Sequence, residues 1–135
     1  MTESQLQEQV AHYIRLQYPD VLFHSDFGSG IKLTMGQAAK QKRQNGGRRA
    51  WPDMFIAEPR DFDYGKISWR KVSGLFIELK KDKTRLNKKN GEWATPHIAE
   101  QAEVLKMLRK RGYVAEFAVG FDDAKEKIDN YLCKK

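Results

Sequence analysis

The chain has 135 residues, 40% of them hydrophobic, which is enough for one core and not for two, so residues 1–135 are expected to form a single unit. With 25 Lys and Arg against 18 Asp and Glu the formal charge is +7, which points to a polyanionic partner or, more plainly, to a soluble basic surface. The lone Cys133 excludes an internal disulfide and a cysteine zinc cluster; with no leader pattern and no apolar run near the roughly 20 residues that cross a bilayer, a cytoplasmic protein without membrane contact is expected.

Leu6, Val10, Tyr13 and Ile14 recur at helical spacing, which predicts an amphipathic helix over residues 3–17, ended by Pro19 and Asp20. Val21 to Phe27 reads as a strand or extended arm closed by Gly28 and Gly30. Thr34 and Gln37 form a capping-box pattern, and the polar run to Asn45 before Gly46 and Gly47 predicts a short exposed helix. Pro52 sets the entry to a short apolar strand over 53–57, which Pro59 ends, and residues 60–73 are mixed and turn-rich.

Gly74 then opens LFIELK, in which Leu75, Ile77 and Leu79 face one side and Phe76, Glu78 and Lys80 the other. A basic polar loop follows. Thr95 and Pro96 supply a cap and a first-turn proline for a helix to about Arg111, closed by Gly112. Tyr113 to Val119 reads as a second apolar strand, and Asp122 or Asp123 begins a last helix with Ala124, Ile128, Tyr131 and Leu132 on one face. The alternation predicts an α/β layered domain with a mixed sheet and helices on both faces, the strand after the Thr95 helix lying parallel to its predecessor.

Glu78 and Lys80, two apart on one strand, project to the same face about 7 Å apart along it. An arbitrary Glu-x-Lys triplet is usually a solvated strand face; here it sits in the most hydrophobic strand of the chain, where an unpartnered carboxylate and ammonium are costly. Asp53, at the mouth of a short apolar strand, reads either as a second carboxylate of the same site or as a turn residue after Pro52. Mg²⁺ commonly takes one or two protein carboxylates and fills its octahedron with water and phosphate, so Asp53 and Glu78 suffice for a phosphodiester-hydrolysing centre. Glu3 lies on the inward face of the first helix, where it points into the site or only complements the helix dipole. Gln101 places an amide on the apolar face with Ile98, Leu105 and Leu108 and needs partners there.

These residues, E3-S-Q-L-Q7, GGRRAWPD at 46–53, FIELK at 76–80 and Gln101 ahead of GYVAEFAVG, resemble the VRR-NUC family of the PD-(D/E)xK nuclease superfamily over nearly the whole chain. The resemblance implies a restriction-endonuclease-like α/β core. It implies a Mg²⁺ or Mn²⁺ ion held by Glu3, Asp53 and Glu78, directly or through water, with the backbone carbonyl of Leu79 as a further ligand. Lys80 would position or activate the attacking water, and Gln101 would orient the lysine or the substrate phosphate. The segment between Asp53 and Glu78 and the loop before Thr95 are longer than the family pattern, so substrate preference transfers less readily than chemistry. Stand-alone members are typical of bacteriophages and their hosts, and the likeness further implies action on branched or Holliday-junction-like DNA by a homodimer.

Basic residues flank the proposed centre: Lys40, Lys42, Arg43, Arg48 and Arg49 before Asp53, and Lys81, Lys83, Arg85, Lys88 and Lys89 after Lys80. They suit sequence-independent phosphate contacts, with a disordered charged loop as the alternative for the second run. Trp51 and Trp93 fit packing better than stacking on unpaired bases. No Gly-rich phosphate loop with a following Lys and Ser or Thr occurs, so no nucleotide cofactor is expected, and His12, His24 and His97 receive no role. The expected function is a metal-dependent DNA endonuclease; the alternatives are a catalytically inert DNA-binding module and a nuclease acting on RNA.

Overall fold

Two apolar periodicities, one of helices and one of strands, meet in a central sheet whose two faces are covered separately. The structure, a computed structural model, describes residues 1–26, 33–63 and 69–133. The chain runs α1 (Glu3–Gln17), β1 (Phe23–Ser25), α2 (Met35–Gln44), β2 (Met54–Ile56), β3 (Arg60–Asp63), β4 (Trp69–Val72), β5 (Leu75–Lys80), α3 (Pro96–Lys110), β6 (Val114–Val119) and α4 (Gly120–Leu132). The four-stranded sheet has the order β1-β2-β5-β6; β1 with β2 and β2 with β5 are antiparallel, whereas β5 and β6 are parallel. A mixed sheet of this kind is the expected one, and α3 is the crossover that makes the last pair parallel.

Strand pleating divides the core. Leu75, Ile77 and Leu79 of β5, with Met54 and Ile56 of β2, meet Leu6, Val10 and Ile14 of α1 and Ala124, Ile128, Tyr131 and Leu132 of α4. The opposite face carries Ala115 and Phe117 of β6 under Ile98, Ala102, Leu105 and Leu108 of α3. Each Leu or Ile buried in this way contributes roughly 1.5–3 kcal/mol, so the α1 stripe alone fixes that helix to the sheet. α1 starts in a capping box between Thr2 and Gln5, and α3 is capped by the Thr95 hydroxyl with Pro96 next to it. No helix among the described residues is long and apolar enough to cross a membrane.

Three segments differ from the sequence expectation. Residues 60–73 contain a two-stranded antiparallel hairpin, β3 with β4, registered Arg60 to Val72 and Phe62 to Arg70. Its signal is short: Phe62 and Val72 reach the core while charged residues surround them, and the Tyr131 hydroxyl donates to the Glu58 carbonyl (2.6 Å) beside it. Of the expected strand Val21–Phe27 only Phe23–Ser25 is paired, and Phe27 with Gly28 and Gly30 lies outside the described residues. α4 begins at Gly120, not at Asp122 or Asp123: the φ of +82° at Gly120 turns β6 directly into the helix, and Asp123 Oδ2 accepts from the Val119 N–H (2.9 Å).

Register between β2 and β5 depends on Gly74. A Cβ there would lie 2.6 Å from Phe55 Cε1 and 2.7 Å from the Ile56 carbonyl oxygen, so β2 passes as close as it does only because no side chain intervenes. Gly74→Ala is expected to lower unfolding free energy by about 1–3 kcal/mol. Urea denaturation checks this; an unchanged midpoint would show that β2 can shift at no cost.

Candidate active site

The site follows from register. Met54 pairs with Ile77 and Phe55 with Phe76, so the next step of the ladder sets Asp53 across from Glu78 on the same face. Directly opposed residues of an antiparallel pair have Cβ atoms about 4.5–5.5 Å apart, which brings two carboxyl groups together. The Leu79 N–H donates to Asp53 Oδ2 (2.8 Å), continuing the β2–β5 pairing through a side chain where the β2 ladder stops. N–H and C=O of one strand residue point to the same side, so the Leu79 carbonyl is turned toward Asp53 as well. Lys80 follows on the Glu78 face, and α3 covers that face with Gln101.

Burial makes this arrangement unlike a surface cluster. Glu78 is 3% exposed, and Lys80 and Gln101 are each 6% exposed. Desolvation, then the Asp53 charge and hydrogen bond, push the Glu78 carboxyl up to about 10, against a partial offset from Lys80. Asp53 is also raised, chiefly by burial, and is partly relieved by the hydrogen bonds from Glu78 and the Leu79 N–H. The surroundings therefore favour the neutral form of both carboxyl groups, chiefly through burial, and of Glu78 most strongly. Glu78 Oε1 and Gln101 Oε1 are buried without a hydrogen-bond partner. An unsatisfied carboxyl oxygen on Glu78 opposite a second carboxyl group is a donor set that a hard divalent cation and its water shell prefer, so these two residues fit such an ion.

Glu3 is half-buried at the first residue of α1 and close enough for its charge to raise both Asp53 and Glu78. Among the described residues no three His, Cys, Asp or Glu side chains gather as an ion cage. Asp53 and Glu78 thus form the close pair, with Glu3 as a longer-range acid. Sequence reasoning gave Gln7 no role beyond its place in the motif. It is 8% exposed, and its Nε2 donates to the Asp26 carbonyl (2.6 Å), while the Asp26 N–H donates to the Asp53 carbonyl (2.8 Å). This chain of bonds ties α1 to the backbone of Asp53. An amide on the apolar stripe of α1 was the available signal, the same one that singled out Gln101.

The basic residues divide into two groups, exposed apart from the half-buried Lys42. α2, with no buried residue, carries Lys40, Lys42 and Arg43, and Arg48 and Arg49 follow it. Lys81, Lys83, Arg85, Lys88 and Lys89 occupy the loop after β5, which is ordered rather than loose. Asn87 bridges to Trp93, the Lys88 N–H donates to the Glu92 carbonyl (2.7 Å), and Trp93 packs on Phe117 at 5.7 Å between ring centroids. Among the described residues none of these ten cations is held in an ion pair, so all are available to an external anion.

No family model matches the chain, and no curated protein is similar to it. A solved structure described as a "VRR_NUC domain protein" is similar at 29% identity and a TM-score of 0.64, over 98% of this chain and 89% of that one. The likeness covers α1, the sheet and α3 together, and so every element that supplies a residue to the site.

Because Glu78 binds its proton more tightly when folded than when unfolded, its contribution to stability is intact below about pH 4.5 and is lost as pH rises toward 10. In chelator-treated protein, Glu78→Gln is expected to be more stable than wild type by about 1–3 kcal/mol at pH 8, with the gap narrowing toward pH 5. Denaturant titrations at both pH values check this, and a variant weaker than wild type at pH 8 would refute it.

Proposed function

We propose, on the premise that the chain is a VRR-NUC domain, as its fold and its likeness over nearly its whole length support, that it is a metal-dependent nuclease. Its reaction is hydrolysis of phosphodiester bonds in DNA at Asp53, Glu78 and Lys80. One observation carries the reading: the β2–β5 register sets the half-buried Asp53 carboxyl across from the buried Glu78 carboxyl, beside a buried lysine on the same strand. A stability-driven sheet gains nothing from such a contact, whereas a cation site requires it.

Asp53, Glu78 and the Leu79 carbonyl would hold the ion, with Glu3 contributing directly or through water. A bound Mg²⁺ or Mn²⁺ neutralises charge on the phosphoryl oxygens and lowers the pKa of coordinated water. The chain's own residues do the rest. Glu78 would serve as a ligand in its ionised form, and Asp53 keeps its orientation through the Leu79 N–H. The Lys80 ammonium is held in the protein interior, where it orients the attacking water and stabilises developing negative charge more strongly than it could in bulk solvent. Gln101 offers its amide to Lys80 or to a phosphate oxygen.

The basic residues of α2, with Arg48 and Arg49, and those of the Asn87–Trp93 hairpin grip the phosphate backbone without reading bases. Such contacts suit branched DNA, and cutting two strands of a symmetric junction calls for two copies of the chain related by a twofold axis.

With Mg²⁺ or Mn²⁺, wild type is expected to cleave branched DNA, EDTA to abolish cleavage, and Asp53→Ala and Lys80→Ala each to lower the rate by about 100-fold or more. Gel assays on branched and linear substrates check this; equal rates for all three proteins would falsify the assignment. Lys88→Ala with Lys89→Ala is expected to weaken DNA binding and flatten its salt dependence by about two units of slope at most. An unchanged slope would remove this hairpin from the contact surface.

A further inference from the structure

Next to the carboxylate pair, on the side of Asp53 away from the basic hairpin in sequence, lies a cleft of about 150 Å³. Its walls include His24, Asp26, Trp51, Asp53, Phe55 and Phe76. The register that opposes Asp53 to Glu78 also opposes Phe55 to Phe76, so an aromatic floor runs directly up to the acidic site on one face of the sheet.

The rings of that floor pack on one another. Phe55 stacks on Phe76 at 4.3 Å between centroids, Tyr113 meets Phe76 edge-on at 5.1 Å, and Trp51 leans on Phe76 at 6.2 Å. Trp51 is 36% exposed, and its indole N–H donates to the Asn45 carbonyl (3.1 Å). A partly exposed tryptophan with its only donor spent on the backbone keeps an apolar face for something outside the chain.

Size and polarity narrow the occupant. A cavity on the order of 150 Å³ accepts one six-membered aromatic ring. One rim is polar: His24 is exposed, and the half-buried Asp26 carboxyl makes no hydrogen bond among the described residues, so both can meet the edge of a heterocycle. On the other side of Trp51 a second cleft carries Arg48 and Arg111, which suit the phosphate that such a ring would bring with it. A planar ring with polar edges, attached to a polyanionic strand, is a nucleobase.

The geometry points to this cleft as the seat of one unpaired nucleobase of the strand whose phosphate lies at the Asp53–Glu78 pair, stacked against Trp51. The inference rests on the nuclease reading above and deepens it. A paired base cannot enter a cleft walled by Trp51, so cleavage beside it selects a flap, a junction arm or a strand end over continuous duplex, and a single-ring base fits better than a double-ring one.

The test couples protein and substrate. Wild type, Trp51→Ala and Trp51→Phe are compared with Mg²⁺ on a DNA flap, intact or with an abasic site moved through the nucleotides flanking the cut. Trp51→Ala is expected to lower kcat/KM on intact flap by about 10- to 100-fold, the scale of one stacked base, with Trp51→Phe recovering most of the loss. At one flanking position the abasic site is expected to lower wild-type kcat/KM by a similar factor, and there the two losses do not add.

Losses that multiply at every position overturn the inference while leaving the nuclease intact, provided Asp53→Ala remains inactive. A second readout is independent of cleavage: a fluorescent cytosine analogue in the flap arm is expected to be quenched on binding by Asp53→Ala protein and not by the Asp53→Ala, Trp51→Ala double variant. Equal quenching by both overturns the inference whether or not the wild type cuts, whereas loss of quenching in the double variant supports it even if no cleavage is found.

Discussion

Opposition of two acidic side chains across neighbouring antiparallel strands is the contact on which the rest of this structure turns. Like charges placed directly across a ladder repel, and at Glu78 burial and the Asp53 charge together raise the carboxyl and favour its neutral form. The cost is local and the surroundings are built around it. Lys80 supplies the compensating charge on the same strand, and the Leu79 N–H holds Asp53 in place at the point where β2 gives out.

Placing that contact requires a register with no slack. A slip of one residue between β2 and β5 would send Asp53 to the α1 and α4 face and return an apolar residue in its place. Several features oppose the slip together. Met54 and Ile56 are buried on one face, Phe55 stacks on Phe76 on the other, and Gly74 allows the strands to meet without an intervening side chain. From outside the sheet, Gln7 on α1 reaches the Asp26 carbonyl, and Asp26 in turn binds the Asp53 backbone. Helix, edge strand and acidic site are thereby tied together by hydrogen bonds.

The periphery follows a different rule. α2 is capped at Thr34 but buries nothing, and the Asn87–Trp93 hairpin leans on the core through Trp93 and Phe117 while its lysines face outward. Local hydrogen bonds order both, with added packing of Trp93, Leu86 and Ala94 on the core in the hairpin, and both concentrate cations that are unpaired among the described residues. A surface organised in this way loses little stability when a polyanion binds, because few contacts within the protein have to be broken.

Much of this was legible in residue order. The apolar stripe of α1, the Thr95-Pro96 start of α3 and the alternation of LFIELK determined those elements nearly to the residue, because period, cap and proline are local properties. The parallel pairing of β5 and β6 followed from the helix between them. The charged pair within an apolar strand and the two amides on apolar helix faces marked the interior polar residues, since each breaks a pattern that its neighbours keep. The β3–β4 hairpin was hidden because, among the described side chains, Phe62 and Val72 alone reach the core from it, too little for a period to show. The start of α4 was hidden because its turn depends on a positive φ at Gly120, with Asp82 packed against it from a distant loop. What only tertiary structure decided is which residues touch: that Asp53 stands opposite Glu78, that Gln7 rather than Glu3 anchors the backbone of the site, and that Trp51 walls a cleft. Those are long-range matters of register and packing, and no local pattern encodes the partner across a strand.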